Sequence, residues 1–286
     1  MPLAAIISKP QKPELASIIP ELVAWLGERD YETALDTESA AYVGPEQKGC
    51  PRADLPRRAP NLVIVLGGDG TLLSAARAFA QVETPILSVN LGSLGFLTEI
   101  PLADLYNTLE AWIEGVAPID TRAMMCARLV RDGMVIRQWE TLNDVVVSKA
   151  TIARMADFSV EIDGQLVATF RADGVIISTP TGSTAYNLAA NGPIMMPSVD
   201  AMVINPICPH LLTLRPIVVP GSVNVTIHIE GVPNQTMLTA DGQEAVDLNL
   251  GDTVHCCKSQ YSVKLLRLHQ NGLFNVLRSK LKWGER

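Results

Sequence analysis

The sequence predicts two domains: a doubly wound, Rossmann-like α/β domain over residues 1–120, then an antiparallel β-sandwich domain over residues 121–271. Three observations carry this. Apolar runs and helix-spaced stretches alternate through the first 120 residues, as a parallel sheet requires. Near Pro118 that alternation stops, and Asp132–Gly133 and Asp163–Gly164 each fall between two strand-like runs, a strong short-range hairpin signal. The length, 286 residues, is long for one domain and comfortable for two.

Taken in order, "LAAII" reads as a strand. "PELASIIPELVAWLG" (Pro13–Gly27) has apolar residues at helical spacing despite Pro20, and "YETALD" is a second strand. Ala41–Pro60 holds glycine and proline clusters without periodicity, so an exposed loop is expected. "NLVIVL" lacks polar alternation and should be buried on both faces. A helix from about Leu72, a strand "PILSVN" and a helix near Ala103–Glu114 complete the first domain. Beyond the hairpins, "VNVTIHIE", "MLTADGQEAVDL", "DTVHCCKS" and "YSVKLLRL" continue as strands, and a last helix within residues 272–286 is expected to pack back on the first domain.

The charge excludes some partners. A formal net charge of −7 argues against nucleic acid, which would call for basic stripes. Arg52, Arg57, Arg58, Arg278, Lys280 and Lys282 form the densest basic groupings and read as solvated surface, as does Arg122. No run approaches the roughly 18 apolar residues of a spanning helix, and "MPLAAIISKP" lacks the form of a signal peptide. The five cysteines, an odd number with no C-x-x-C, read as buried free thiols. A soluble cytoplasmic protein without a membrane partner is the expectation.

Chemistry enters at Gly67-Gly68-Asp69-Gly70-Thr71, where a buried strand meets a helix. Open α/β sheets bind ligands at that edge, and glycines let backbone N–H groups approach a phosphate. Gly67, Gly68, Gly70 and Thr71 are therefore candidate phosphate-binding residues. Asp69 would repel a phosphate unless it binds Mg²⁺ or accepts a hydroxyl proton, both of which occur in phosphoryl transfer. A tight turn with a helix cap explains the pentapeptide equally well.

A second stretch, Arg171 to Pro193, places Ser178, Thr179, Thr181, Ser183 and Thr184 around Gly182, with Tyr186 following. "GVIIS" leads in as a buried strand and "AYNLAA" leads out as a helix. Polar groups flanked by core need partners, and nucleotide binding would supply them. Asp144, Asp173 and Asp241 lie in or beside turn-rich segments, where each is either a turn or strand residue or an acceptor for a ligand's donors.

"LGGDGTLL", "LNDVVVSK" and "DGVIISTPTGSTAYNLAANGPI", in this order, resemble the bacterial NAD kinases from about Leu62 to Leu277. The GGDGT motif alone is shared with diacylglycerol and sphingosine kinases and, more distantly, phosphofructokinases. The resemblance implies that Asp69 takes the proton of the adenosine-ribose 2′-hydroxyl of NAD as it attacks ATP, with Gly70 beside it. It implies that Asn143 and Asp144 meet NAD, Asp standing where Glu is common, and that Arg171 and Asp173 are further contacts. Thr184, Ala185, Tyr186, Asn187, Leu188 and Ala189 match the segment around the adenine. Gln243 matches a late contact, and Arg154 and Cys208 match positions that vary. The implied reaction is Mg²⁺-dependent, with ATP (possibly polyphosphate) as donor, the metal held mainly by ATP phosphates rather than by a protein metal site. No tightly bound organic cofactor is implied, and a homodimer or homotetramer is. A lipid kinase would need a basic or amphipathic membrane-facing surface, which the sequence lacks. A non-catalytic NADP-binding sensor would not need Asp69.

Overall fold

The computed structural model describes residues 1–44, 46–92, 95–149, 156–230, 236–267 and 272–284. The chain forms two compact units, Met1–Thr121 with Val263–Arg286, and Arg122–Ser262.

In the first unit, β1 (Leu3–Ser8), β2 (Glu32–Leu35), β3 (Leu62–Gly67) and β4 (Ile86–Asn90) form a parallel sheet in the order β4–β3–β1–β2. Every residue of β1, β3 and β4 is buried, as strands covered on both faces should be. Helices α1 (Leu15–Gly27), α2 (Thr37–Val43), α3 (Asp69–Phe79) and α4 (Leu105–Ile113) connect them, with a two-residue β5 (Ile100–Pro101) beside β4. Leu15, Ile19, Leu22 and Leu26 of α1 follow helical spacing and are buried in one core with Ile6, Ile64 and Leu87. The register Gly67↔Asn90 sets the carboxyl ends of β3 and β4 side by side. The C-terminal helix Gly272–Leu281 belongs to this unit, with Val276 and Leu277 buried.

The second unit is antiparallel. It contains β6 (Ile119–Arg131, which enters from the first unit), β7 (Met134–Thr141), β8 (Asp144–Lys149), β9 (Ala156–Ile162), β10 (Gln165–Ala172) and β11 (Gly174–Ser178). Then come β12 (Ala201–Ile207), β13 (Ile217–Pro220), β14 (Val225–Ile229), β15 (Thr236–Ala240), β16 (Glu244–Leu248) and β17 (Thr253–Leu266, which leaves for the first unit). One sheet runs β13–β12–β11–β8–β15–β16, and the other contains β10–β9–β14–β17. Phe158 and Phe170 of the latter, ring centroids 6.1 Å apart, share a core with Val145, Val147, Val175 and Ile177 of the former. That is a sandwich. The hairpin pairs Asp132–Gly133, Asp163–Gly164 and Asp241–Gly242 all have φ between +48° and +78°, the backbone a two-residue turn needs to match strand twist.

Three sequence expectations are corrected. Ala41–Pro60 is not an open loop: α2 reaches Val43, and a 3₁₀ helix spans Arg52–Arg58 with Leu55 fully buried. Helix α3 begins at Asp69 rather than Leu72. Arg52 is not a solvated charge. It donates to the Asp36 carboxylate at 2.7 Å and the Ser8 carbonyl at 2.6 Å, while Asp36, 1% exposed, also caps α2 by accepting from the Ser39 N–H. Removing Arg52 leaves a buried carboxylate without its counter-charge. Arg52→Met should lower unfolding free energy by about 3 kcal/mol in urea titration. Arg57→Met, at a guanidinium 83% exposed, should change it by no more than about 0.5 kcal/mol. Equal, small effects would return Arg52 to the surface.

Candidate functional site

In the first unit the candidate site is the junction of β3 and α3. Gly68 is the extended N-cap residue of α3, with φ −114°, and no side chain caps the helix. The positive end of the helix dipole therefore faces the end of the sheet, a favourable place for an anion, while the Thr71 N–H is already given to the Gly68 carbonyl at 2.9 Å. A Cβ at Gly67 would lie 2.5 Å from Thr71 Oγ1, so packing requires that glycine. A Cβ at Gly68 would meet nothing within 4 Å, so neither packing nor backbone conformation explains this one.

Asp69 opens α3 and turns its carboxylate to the segment after β4. Oδ2 accepts from the Phe96 N–H at 2.9 Å; Oδ1 accepts from Leu97 N–H (3.2 Å), Thr98 N–H (3.0 Å) and Thr98 Oγ1 (2.9 Å). Gly95 makes this approach possible, because a Cβ there would stand 2.0 Å from Asp69 Oδ1. Asn90 ties the segment back on itself: it donates to the Thr98 carbonyl and hydroxyl and accepts from the Gly92 N–H. Sequence reading missed Asn90, Gly95, Phe96 and Thr98. The signal was present in "NLGSLGFLT", whose asparagine and two glycines are turn chemistry directly after a buried strand.

In the second unit, antiparallel pairing gathers a second group at one sheet end. β8 begins where β11 and β15 stop: Asp144 lies opposite Ser178, and Val145 opposite Ala240. The Asp241 carboxylate accepts from the N–H groups of Leu142, Asn143 and Asp144 at 2.8–3.3 Å, so Asp241 is the anchor of the Asn143–Asp144 backbone. Asn143 is 9% exposed, and its Oδ1 is buried without a hydrogen-bond partner among the described residues. A Cβ at Gly182 would come within 2.0 Å of the Asn143 carbonyl, which fixes the hydroxyl-rich loop against this strand.

The loop hydroxyls serve the loop itself. Ser178 donates to the Thr179 carbonyl, Thr179 to Leu142, Ser183 to Pro180, and Thr184 to Thr181. Ser178, Thr179, Thr181 and Ser183 are all buried. Their density is a folding requirement of a buried turn, in place of the hydroxyl display that the sequence suggested. Asn187 is fully buried: it donates to the Ser183 and Pro193 carbonyls and accepts from Asn205. Ala185 and Leu188 are half-buried, and Tyr186 and Ala189 are exposed beside them. Arg122, expected at the surface, is 3% exposed and donates to Thr181 Oγ1.

The other expected positions are more open. The Arg171 guanidinium pairs with Asp157 at 2.6 Å rather than with Asp173, which pairs with Lys149 at 2.5 Å. Cys208 is exposed and Cys50 and Cys257 are half-buried, so only Cys126 and Cys256 are the buried thiols expected; all five are free. Gln243 is exposed in the turn after Asp241. Arg154 lies outside the described residues. Among the described residues no group of three or more His, Cys, Asp or Glu is arranged to hold a metal, and no helix is long and apolar enough to cross a membrane.

Residues 4–117 match the ATP-NAD kinase N-terminal domain, and residues 142–268 the ATP-NAD kinase C-terminal domain. The chain belongs to the NAD kinase family. An NAD kinase of Acidobacterium capsulatum is 61% identical over 282 residues, covering 99% of each chain, and one of Koribacter versatilis is 53% identical over the full length of both. Among solved structures, yeast NADH kinase complexed with NADH superposes with a TM-score of 0.92 at 25% identity, over 100% of this chain and 89% of that one. An NAD kinase from Archaeoglobus fulgidus in complex with ATP gives 0.77 at 24% identity over 98% of both, a likeness of fold. The activity is that of an NAD kinase, and none of these matches is to a lipid kinase or a non-catalytic sensor.

Burial and the neighbouring Asp241 charge push Asp144 up to about 7. A native carboxyl raised above its unfolded value of 3.8 holds a proton that the unfolded chain lacks, so stability falls as pH rises through that window. Asp144→Asn should therefore raise the apo Tm at pH 8 by at least about 3 °C, with a gap that closes toward pH 4. A difference independent of pH would contradict the shift.

Proposed function

We propose that the NAD kinase reaction of this chain is carried by Asp69, with the dinucleotide held by Asn143, Asp144, Asp173 and the backbone around Ala185 and Tyr186. The observation that carries the reading is the bare, uncapped junction at Gly68 beside a carboxylate locked in place by loop donors. Gly67, Gly68 and Gly70 let the backbone come close to the phosphates of ATP at the N-terminus of α3, whereas the Thr71 N–H is already bonded to the Gly68 carbonyl, and Mg²⁺ arrives with ATP as part of the substrate.

In the step itself, the adenosine-ribose 2′-hydroxyl of NAD forms a bond to the γ-phosphorus. The bond from that phosphorus to the β–γ bridging oxygen breaks, ADP leaves, and the hydroxyl proton passes to Asp69. The product is NADP. A carboxylate is a weak base, so the proton moves late and positioning supplies most of the acceleration.

Asn143 Oδ1, buried and unpartnered, accepts a donor from the bound nucleotide, which removes the cost of leaving it unmade. Asp144 accepts ribose or adenine donors in its ionised form. NAD binding should therefore tighten as pH rises from 6 to 8, and Asp144→Asn should abolish that dependence in calorimetric titrations. Asn187 and Asp241 act through the loops they hold.

We infer that the protein works in the cytoplasm as a homodimer or homotetramer. Support for oligomerisation is the edge strand β7, where Met134, Val135 and Ile136 are 65%, 58% and 48% exposed.

The test is NADP formation from NAD and MgATP by the purified protein, beside Asp69→Asn. Wild type should turn over, and the variant should lose about 10²–10⁴-fold in kcat while binding NAD with a similar Kd. A variant with near-normal kcat would remove Asp69 from the mechanism. Because yeast NADH kinase was solved with NADH, the reduced dinucleotide belongs in the same assay as a second acceptor.

A further inference from the structure

We propose that Thr98 is a positioning residue for the reaction: its hydroxyl fixes the rotation of the Asp69 carboxylate and so selects Oδ2 as the oxygen that receives the proton. The proposal rests on the assignment of Asp69 as proton acceptor.

The two carboxylate oxygens are not equivalent. Oδ1 takes three donors, the N–H groups of Leu97 and Thr98 and the Thr98 hydroxyl, whereas Oδ2 takes the Phe96 N–H. An oxygen that already accepts three hydrogen bonds has little lone-pair density left for a proton. Oδ2 keeps that capacity.

The hydroxyl is itself held in direction. Asn90 Nδ2 donates to Thr98 Oγ1 at 3.0 Å, which turns the Thr98 O–H toward Asp69 Oδ1 at 2.9 Å. Asn90 lies at the carboxyl end of β4, in register with Gly67 at the end of β3, so the relay is anchored in two buried strands. Thr98 is fully buried, so water has no access to replace a missing hydroxyl.

Carboxylate torsions are broad and nearly two-fold, so a further donor that is itself held by a partner narrows the rotation the loop N–H groups set. The Thr98 hydroxyl, fixed by Asn90, is that donor. Gly95 belongs to the same device: a Cβ there would lie 2.0 Å from Asp69 Oδ1 and 2.4 Å from Thr98 Oγ1, displacing the contact that sets the rotation.

Thr98→Val removes the hydroxyl and keeps the shape and the backbone N–H. With positioning lost, kcat should fall about 10- to 100-fold, while KM for NAD and for MgATP stays within about 3-fold and Tm stays near wild type. Thr98→Ser should restore kcat to within about 3-fold. In the double variant with Asp69→Asn, Thr98→Val should add no further loss, because its effect runs through that carboxylate.

A Thr98→Val enzyme with near-normal kcat, beside an Asp69→Asn enzyme that has lost turnover, overturns the positioning role and leaves the assignment of Asp69 standing. Full additivity in the double variant, or equal losses in Thr98→Val and Thr98→Ser, overturns it as well. Normal turnover in Asp69→Asn overturns the assignment and this proposal together.

Discussion

Two carboxylates each gather three consecutive backbone N–H groups, and the candidate sites of both units depend on them. Asp69 takes those of Phe96, Leu97 and Thr98; Asp241 takes those of Leu142, Asn143 and Asp144. A charged acceptor with several donors is stronger than neutral pairs, and it fixes a loop at the point where regular structure cannot. In the first unit the clamp joins the start of α3 to the segment after β4. In the second it joins the β15–β16 turn to the start of β8. The same local chemistry serves different ends: Asp69 is the proposed proton acceptor and is itself held, whereas Asp241 holds other residues in place.

The clamps explain why glycine appears where it does. A Cβ at Gly95 would stand 2.0 Å from the Asp69 carboxylate oxygen Oδ1, and one at Gly182 would stand 2.0 Å from the Asn143 backbone carbonyl oxygen. Buried and half-buried cations do comparable work away from the sites. Arg267, 7% exposed, pairs with Glu99 and Asp120 and donates its backbone N–H to Pro118, fixing the chain as it leaves β17. Arg52 does the same for α2 and the end of β1. Such pairs hold register more than they add stability, because desolvation offsets much of the attraction.

Most of the fold was legible because its signals are local. Buried runs in β1, β3 and β4, helical spacing in α1, and Asp-Gly turns each declare themselves within about ten residues. The misread charges share one cause. Arg52 and Arg122 look like surface charges until Asp36 and Thr181, 16 and 59 residues away, are brought to them by folding. Asp69 was legible as a candidate from its glycines, but its loop partners, nearly 30 residues on, were not. Ser178, Thr179 and Ser183 misled in the opposite sense, because hydroxyls that satisfy a buried turn and hydroxyls that meet a ligand look alike in sequence.

One carboxylate, locked by the loop after β4, is proposed to meet the hydroxyl that attacks ATP. The most direct test is a crystal structure of the protein with NAD bound. The account predicts the adenosine-ribose 2′-hydroxyl within about 3 Å of Asp69 Oδ2, with Thr98 still donating to Oδ1. A 2′-hydroxyl bonded to a different side chain, with Asp69 remote from it, would contradict the account.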